Sequence, residues 1–138
     1  MPTVTVTRRL KFNAAHRVHN PAFSDEENRR VFGKCNNPHG HGHNYTLDVS
    51  VAGEVDPDTG YVFDLSRLKE LVTREVVDIV DHHNLNVDVV FMHDIIPTAE
   101  NMIVQFWRIL DDKIAAPARL VGLVLWETEN NYVEYHGN

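Results

Sequence analysis

Two stretches of alternating apolar and polar residues constrain the fold of this chain more than any other feature of its sequence. They lie at residues 4–12 and 45–51. A period of two puts every apolar side chain of an extended segment on the same face. Each stretch is therefore predicted to be a β-strand with one buried face. Two further strands are predicted at residues 118–129 and 132–136, separated by the turn residues Asn130 and Asn131.

Two other segments have helical spacing. Apolar residues recur at intervals of three and four in about 65–80 and again in about 99–114. Asp64 and Thr98 stand at the N-cap positions of these two helices. Residues 20–40 read as a long functional loop with a helical turn around S-D-E-E-N-R-R-V-F. The order predicts a single α+β domain over residues 1–138, with a four-stranded antiparallel sheet and two helices on one face.

Length and charge exclude several classes of protein. A chain of 138 residues has room for one hydrophobic core. Its formal net charge of -7 argues against a general nucleic-acid binder. It has no apolar run long enough to cross a bilayer and no apolar secretory signal at its start, so we expect no membrane partner. The single cysteine excludes an intrachain disulfide and fits a cytoplasmic protein.

The predicted strand at residues 120–126 is apolar on both of its faces. Helices can cover one face, but a chain of this length has little left to cover the other. An uncovered apolar face favours assembly of several copies, so we expect an oligomer.

Histidines form the sharpest cluster of candidate functional residues. His41 and His43 lie two apart at the start of the second strand, so both face the same way. His16 continues the parity of the apolar face of the first strand, and a hairpin of the two strands would bring it beside them. Three imidazoles without a fourth protein ligand are typical of a catalytic zinc site with an open position. The alternative is a polar loop with surface histidines.

Cys35 and the pair Asp81–His82 are candidates for proton transfer. Cys35 follows Lys34 in a polar loop near the predicted metal site, and a cation and a metal both favour the thiolate. The alternative for Cys35 is an inert packing residue. Asp81 and His82 end the first long helix. They either satisfy the free backbone groups at its C-terminus or act together in proton transfer, with the carboxylate orienting the imidazole.

Glu127 follows the apolar run V-G-L-V-L-W, in a strand that reads as buried. Buried glutamates are rare without a partner, and this carboxylate could accept two N–H bonds from a ligand. Glu100 has a simpler explanation, because acidic residues favour the first turn of a helix.

Six motifs together resemble one known family over nearly the whole chain. They are F-N-A-A-H at 12–16, C-N-N-P-H-G-H-G-H-N-Y at 35–45, G-E-V-D-P-D-T-G at 53–60, D-H-H-N-L-N at 81–86, P-T-A-E-N at 97–101 and W-E-T-E-N-N at 126–131. The chain resembles the family of 6-pyruvoyltetrahydropterin synthase and 6-carboxytetrahydropterin synthase. The resemblance implies the tunnelling (T-) fold, in which three subunits close a barrel and two trimers stack as a homohexamer.

The resemblance also implies an activity and residue roles. The chain would be a zinc-dependent lyase that converts 7,8-dihydroneopterin triphosphate to 6-pyruvoyltetrahydropterin with release of triphosphate. Zn²⁺ would sit on His16, His41 and His43. Cys35 would be the general base, and Asp81 with His82 the second proton-transfer group. Glu127 would hold the amino-pyrimidine edge of the pterin, and Thr98 and Glu100 would help to line its pocket.

His39 leaves open which branch of the family the chain resembles more. It creates a second His-Gly-His overlapping the first, at His39 and His41. Cys35 stands six residues before His41, the spacing of the pyruvoyl-forming branch, but counting from His39 gives the shorter spacing of the carboxy-forming enzyme of queuosine biosynthesis. A non-catalytic pterin- or metal-binding module and a pterin aldolase or cyclohydrolase are further alternatives.

Overall fold

The first two strands are longer than the alternation in the sequence predicts. The computed structural model describes residues 2–138. Strand β1 spans Thr3–His16 and strand β2 spans His41–Glu54, each with 14 residues. They pair antiparallel over their whole length, from Thr3 opposite Glu54 to His16 opposite His41. The histidines therefore lie inside the paired region, at the end of this long hairpin.

The loop between these strands contains more helix than one turn. Helix α1 covers Asp25–Phe32, and a short 3-10 turn follows at Gly33–Asn36. The hydroxyl of Ser24 caps α1 by accepting from the backbone N–H of Glu27 at 3.1 Å.

The two long helices form where the apolar spacing predicts them. Helix α2 covers residues 65–80 in three continuous parts: α-helix at Leu65–Val72, a π-helical turn at Thr73–Val77 and α-helix at Asp78–Val80. Asp64 caps it by accepting from the N–H of Ser66 at 2.9 Å. Helix α3 covers Ala99–Leu110, ends in a 3-10 turn at Asp111–Lys113 and is capped by Thr98.

The sheet has one strand more than the four predicted. Strand β3 is only His83–Asn84 and pairs parallel to β1, opposite Ala14 and Ala15. Strand β4 covers Arg119–Trp126 and β5 covers Tyr132–Tyr135, giving the order β3-β1-β2-β4-β5 over residues 2–138. Two polar residues carry no alternation, so sequence periodicity cannot detect β3. It forms because the chain leaves α2 alongside the edge of β1.

The core lies between one face of the sheet and helices α2 and α3. The buried side chains that the two layers share include Leu10, Phe12, Tyr45, Leu47, Leu68, Val72, Met102, Phe106, Leu123 and Leu125. The opposite face of β1 and β2 is polar, and Arg9 makes a two-pronged ion pair with Asp48 there, at 2.8 and 3.0 Å. The predicted α+β class with helices on one face is confirmed. Within residues 2–138, no helix combines the length and apolar character that crossing a bilayer needs.

Candidate metal centre

Three histidines converge at the end of the β1–β2 hairpin, on the face that packs against the helices. His16 pairs directly with His41, and His43 lies two residues further along β2. One ring nitrogen from each lies within 4.8 Å of the others, and the Nε2 atoms of His16 and His41 are 3.1 Å apart. The strand pairing thus brings together the three residues that the parity of the sequence selects.

The ring of His16 is fixed by a residue outside the hairpin. Its Nδ1 lies 2.7 Å from the carbonyl oxygen of Pro97, just before α3. A carbonyl only accepts, so Nδ1 carries the proton and Nε2 turns its lone pair toward the other two rings. Such a hydrogen bond on the far nitrogen is the usual way in which proteins orient a metal-binding histidine.

Gly40 lets the start of β2 approach the end of β1. Its φ is 75°, in the left-handed region that favours glycine. A Cβ at this position would lie 2.9 Å from the carbonyl oxygen of His16. Gly40, between His39 and His41, therefore allows this close approach of the two backbones, and any larger residue would push the hairpin apart beside the cluster.

The donor set fits a zinc ion. Zn–N bonds of about 2.0–2.1 Å place two imidazole nitrogens of a tetrahedral site roughly 3.3 Å apart, close to the spacing of His16 and His41. Within residues 2–138, His41 Nδ1 and His43 Nε2 are buried without a hydrogen-bond partner. Burial lowers the pKa of His16 and of His43, because desolvation penalises the charged ring. Neutral imidazoles are the form that binds a metal.

Glu127 lies beside the histidine cluster and is less buried than its apolar strand predicts. Strand β4 ends at Trp126, so Glu127 begins the turn after it, and 27% of its side chain is exposed. Its Oε1 lies 3.8 Å from Nε2 of His43. Both residues line a cleft of about 590 Å³, a volume in the range of small-molecule sites.

Cys35 lies in the 3-10 turn after α1 and is exposed, as its polar surroundings predict. Its carbonyl accepts from the N–H of Val18 at 2.8 Å, which ties this turn to the chain just after His16. Cys35 is not one of the residues of the histidine cluster.

Asp81 and His82 lie along the edge of β1 that faces away from β2. Asp81 accepts from the backbone N–H of Asn13 at 2.8 Å, and its Oδ1 lies 3.0 Å from Nδ1 of His82. The N–H of Asn13 holds the pKa of Asp81 below its usual value. His82 has a φ of 60° and an exposed side chain. In residues 2–138 of this single chain, no hydrogen bond joins the pair to Cys35 or to the histidine cluster.

Thr98, Glu100 and His39 are not part of the histidine cluster. Thr98 follows Pro97, but its hydroxyl is used as the cap of α3, accepting from Asn101 at 3.2 Å. Glu100 is exposed in the first turn of α3. His39 is exposed before the sharp turn at Gly40 and is outside the grouped ligands, so His41 and His43 are the pair brought together.

The sequence interpretation missed two residues of the site. Pro97 orients His16 through its backbone, and a backbone contact leaves no signal in a sequence. Tyr45 continues the parity of His41 and His43 and is fully buried, with its ring 5.7 Å from that of His43. Burial raises the pKa of Tyr45, and the negative charges of Glu127 and Cys35 add to the rise. The shared strand face could have identified it.

Comparison with known proteins finds relatives that match nearly the whole chain. The family model described as 6-pyruvoyl tetrahydropterin synthase matches residues 5–138. The chain is 45% identical to the human 6-pyruvoyl tetrahydrobiopterin synthase over 132 residues, 96% of this chain and 90% of that protein. It is 44% identical over 137 residues to a putative enzyme of the same name from Caenorhabditis elegans, 99% of this chain and 97% of the relative.

A solved structure agrees with these relatives. The 6-pyruvoyl tetrahydropterin synthase of Caenorhabditis elegans superimposes with a TM-score of 0.93 at 43% identity, over 100% of this chain and 98% of that one. The predicted T-fold is thereby confirmed for the single chain.

Proposed function

The chain belongs to the 6-pyruvoyl tetrahydropterin synthase family, and from this premise we propose that it is a zinc-dependent lyase. Its substrate would be 7,8-dihydroneopterin triphosphate and its products 6-pyruvoyltetrahydropterin and triphosphate. The observation that carries the proposal is the cluster of His16, His41 and His43 beside the cleft that contains Glu127. The relatives' names support an enzyme of pterin chemistry, and the cluster supports the metal.

The three histidines would hold the zinc ion. A bound zinc ion would polarise the side-chain oxygens of the substrate and make their protons more acidic. The chain's own contribution is orientation: the hairpin sets the spacing of His16 and His41, and Pro97 fixes the ring of His16. Burial keeps His16 and His43 neutral, so that they are available as ligands at neutral pH.

Cys35 is proposed as the general base that takes a proton from the substrate side chain. Its exposure supports this role, since a general base must be able to reach the proton that it takes. Asp81 and His82 are proposed as the second proton-transfer group. The N–H of Asn13 favours the charged form of Asp81, and that carboxylate orients the ring of His82.

Glu127 is proposed to bind the amino-pyrimidine edge of the pterin. Its carboxylate faces a cleft of suitable volume and is partly desolvated, which strengthens hydrogen bonds to a pair of N–H donors. Thr98 and Glu100 are proposed to help line the pterin pocket from the start of α3, although in the single chain they are not among the residues that line this cleft. With Glu127 on the ring, the substrate side chain would extend toward the histidines, because His43 Nε2 is only 3.8 Å from that carboxylate.

A homohexamer made of two trimers is proposed for the assembly. Apart from the two residues of β3, strand β1 has a free edge, and β5 forms the other end of the sheet over residues 2–138. Free edges are ready to pair with another copy, and closing them into a barrel removes them. The pair Asp81–His82 lies on the β1 edge and would then stand at a boundary between copies. A cytoplasmic location is proposed because an exposed free thiol suits a reducing compartment.

Product analysis tests the activity. Zinc-loaded protein is incubated with 7,8-dihydroneopterin triphosphate, and the products are identified by mass spectrometry with and without acetaldehyde trapping. A product with a three-carbon side chain and stoichiometric triphosphate is expected. A 6-carboxy product with trapped acetaldehyde would assign the chain to the carboxy-forming branch. Absence of turnover together with tight pterin binding would indicate a binding module.

A further inference from the structure

Tyr45 has a buried hydroxyl that the proposed chemistry has not used. The residue is 0% exposed, and within residues 2–138 its hydroxyl has no hydrogen-bond partner. Most buried polar atoms of folded proteins are hydrogen-bonded, because an unpaired one has lost its water without replacement. A ligand acceptor in the site is one way to satisfy this hydroxyl.

The position of the hydroxyl is fixed by packing. The ring of Tyr45 stacks on Phe12 with centroids 4.9 Å apart and planes 13° apart. It meets the rings of His43 and His16 edge to face, at 5.7 and 6.5 Å. A ring held on three sides cannot swing to find a partner elsewhere, so any partner must come to it.

The surroundings of the hydroxyl indicate a ligand. Tyr45 shares its strand face with His41 and His43, the two β2 residues of the metal cluster. Thr46 pairs with Trp126, so Tyr45 and Glu127 are the next residues along the same two antiparallel chain segments. Tyr45 thus lies beside both the proposed metal ligands and the proposed ring anchor. The histidine nitrogens are needed for the metal and Glu127 for the pterin ring, which leaves the substrate side chain as the acceptor.

We propose that the Tyr45 hydroxyl donates a hydrogen bond to a side-chain oxygen of the pterin substrate, on the side of the site where the three imidazoles converge. This inference rests on the proposed function. The substrate side chain carries hydroxyl groups, and a hydroxyl oxygen gains negative charge as it becomes a carbonyl. A fixed donor in a site that excludes water stabilises such charge more than it stabilises the ground state, so Tyr45 would lower the barrier as well as aid binding.

The test removes the hydroxyl group from each of two tyrosines that lie in different parts of the sheet. Tyr45→Phe removes the hydroxyl and keeps the stacked ring. Tyr135→Phe removes the same atom from β5, where the ring packs on Trp107 and the residue is partly buried. Calorimetry with zinc-loaded protein measures the affinity of each variant for neopterin, which has a trihydroxylated side chain, and for 6-methylpterin, which has none.

We expect wild-type protein and Tyr135→Phe to prefer neopterin to the same degree. In Tyr45→Phe the preference should fall about tenfold, the size of one hydrogen bond, while affinity for 6-methylpterin stays the same. At saturating substrate, Tyr45→Phe should also turn over roughly 10- to 100-fold more slowly. The metal-free Tyr45→Phe protein should melt at or above the wild-type temperature, because it no longer buries an unpaired hydroxyl.

Three results would overturn the inference. Full retention of the neopterin preference in Tyr45→Phe would show that the hydroxyl does not touch the side chain. A lower melting temperature of metal-free Tyr45→Phe, with binding unchanged, would assign the hydroxyl to a trapped water of structural role. Wild-type protein that binds neither pterin would overturn the proposed function and this inference with it, whereas the first two results leave the proposed function standing.

Discussion

The Nε2 atoms of His16 and His41 face each other across 3.1 Å, at the last paired position of a 14-residue hairpin. Because His16 Nε2 carries a lone pair, His41 Nε2 can donate a hydrogen bond to it across this distance. A cation bound between the two rings would take the place of that shared proton. The spacing is set by backbone pairing and by the hydrogen bond from His16 to Pro97, so the protein's own contacts position these two rings.

Zinc content should depend on His41 and not on His39. His41→Ala removes one of three ligands, so elemental analysis should show most of the metal lost from a protein that binds one zinc per chain. His39→Ala is the matched control, because His39 is exposed and outside the cluster. Full zinc retention in His41→Ala, or loss in His39→Ala, would move the ligand assignment to His39.

Cys35→Ala should keep zinc and fold but lose turnover. The thiol is exposed and is not part of the ligand cluster, so its removal disturbs neither packing nor metal binding. Loss of a general base lowers kcat by about 10²–10⁴-fold. Steady-state kinetics, zinc content and a thermal melt on the same preparation give the three readouts. Unchanged kcat would make Cys35 a bystander of the reaction.

Glu127→Gln should weaken pterin binding with little change in stability. The amide keeps the shape but turns one acceptor into a donor, which then faces a donor of the pterin edge. Because the carboxylate is 27% exposed and 3.8 Å from His43, its loss should alter the melting temperature of the empty protein only slightly. Glu129→Gln is the control, since Glu129 is exposed and lines the same cleft.

Melts with and without pterin decide between two roles for Glu127. An empty Glu127→Gln protein that is much less stable, yet binds pterin normally, would make Glu127 an ion-pair partner of His43. The expected result is the reverse: a near-normal melting temperature without pterin and a lost or reduced shift with it.

Gly40→Ala should destabilise the protein more than Gly60→Ala. Both glycines have nearly the same left-handed φ, 75° and 76°. A Cβ at Gly60 meets nothing within 4 Å, whereas at Gly40 it would meet the His16 carbonyl at 2.9 Å. Backbone strain alone costs about 1–2 kcal/mol, and the clash adds to it only at Gly40. Denaturant unfolding measures both, and zinc titration should show weaker binding for Gly40→Ala alone.

The metal-free protein should lose stability as the pH falls below about 6.5, the ordinary histidine pKa. Burial holds the pKa of His16 and His43 below that value, so in this range the unfolded chain binds more protons than the folded chain does. The free energy of unfolding therefore rises with pH until these histidines are neutral in both the folded and the unfolded state. Asp81 causes a second loss of stability in strong acid, as the pH falls through its lowered folded-state pKa. Urea unfolding from pH 5 to 8 should show the first slope, and His16→Gln should reduce it.

Periodicity in the sequence was sufficient for most of the fold. Residues 65–80 form one helix as predicted, and both long strands contain the predicted alternating segments. The strands run further than the alternation, because pairing between β1 and β2 continues through polar residues that contribute backbone hydrogen bonds without an apolar side chain. Strand β3 escaped detection for the same reason, since two residues paired to an edge carry no pattern.

The sequence by itself determined which histidines share a face, because the two-residue period of a strand is a local property of the chain. It determined that His16, His41 and His43 would meet if the two strands paired. Only the tertiary structure decided that Pro97 orients His16, that Glu127 sits beside His43, and that the Tyr45 hydroxyl is left without a partner. These contacts join segments far apart in the chain, and their geometry depends on how the sheet and the helices pack, which no local pattern encodes.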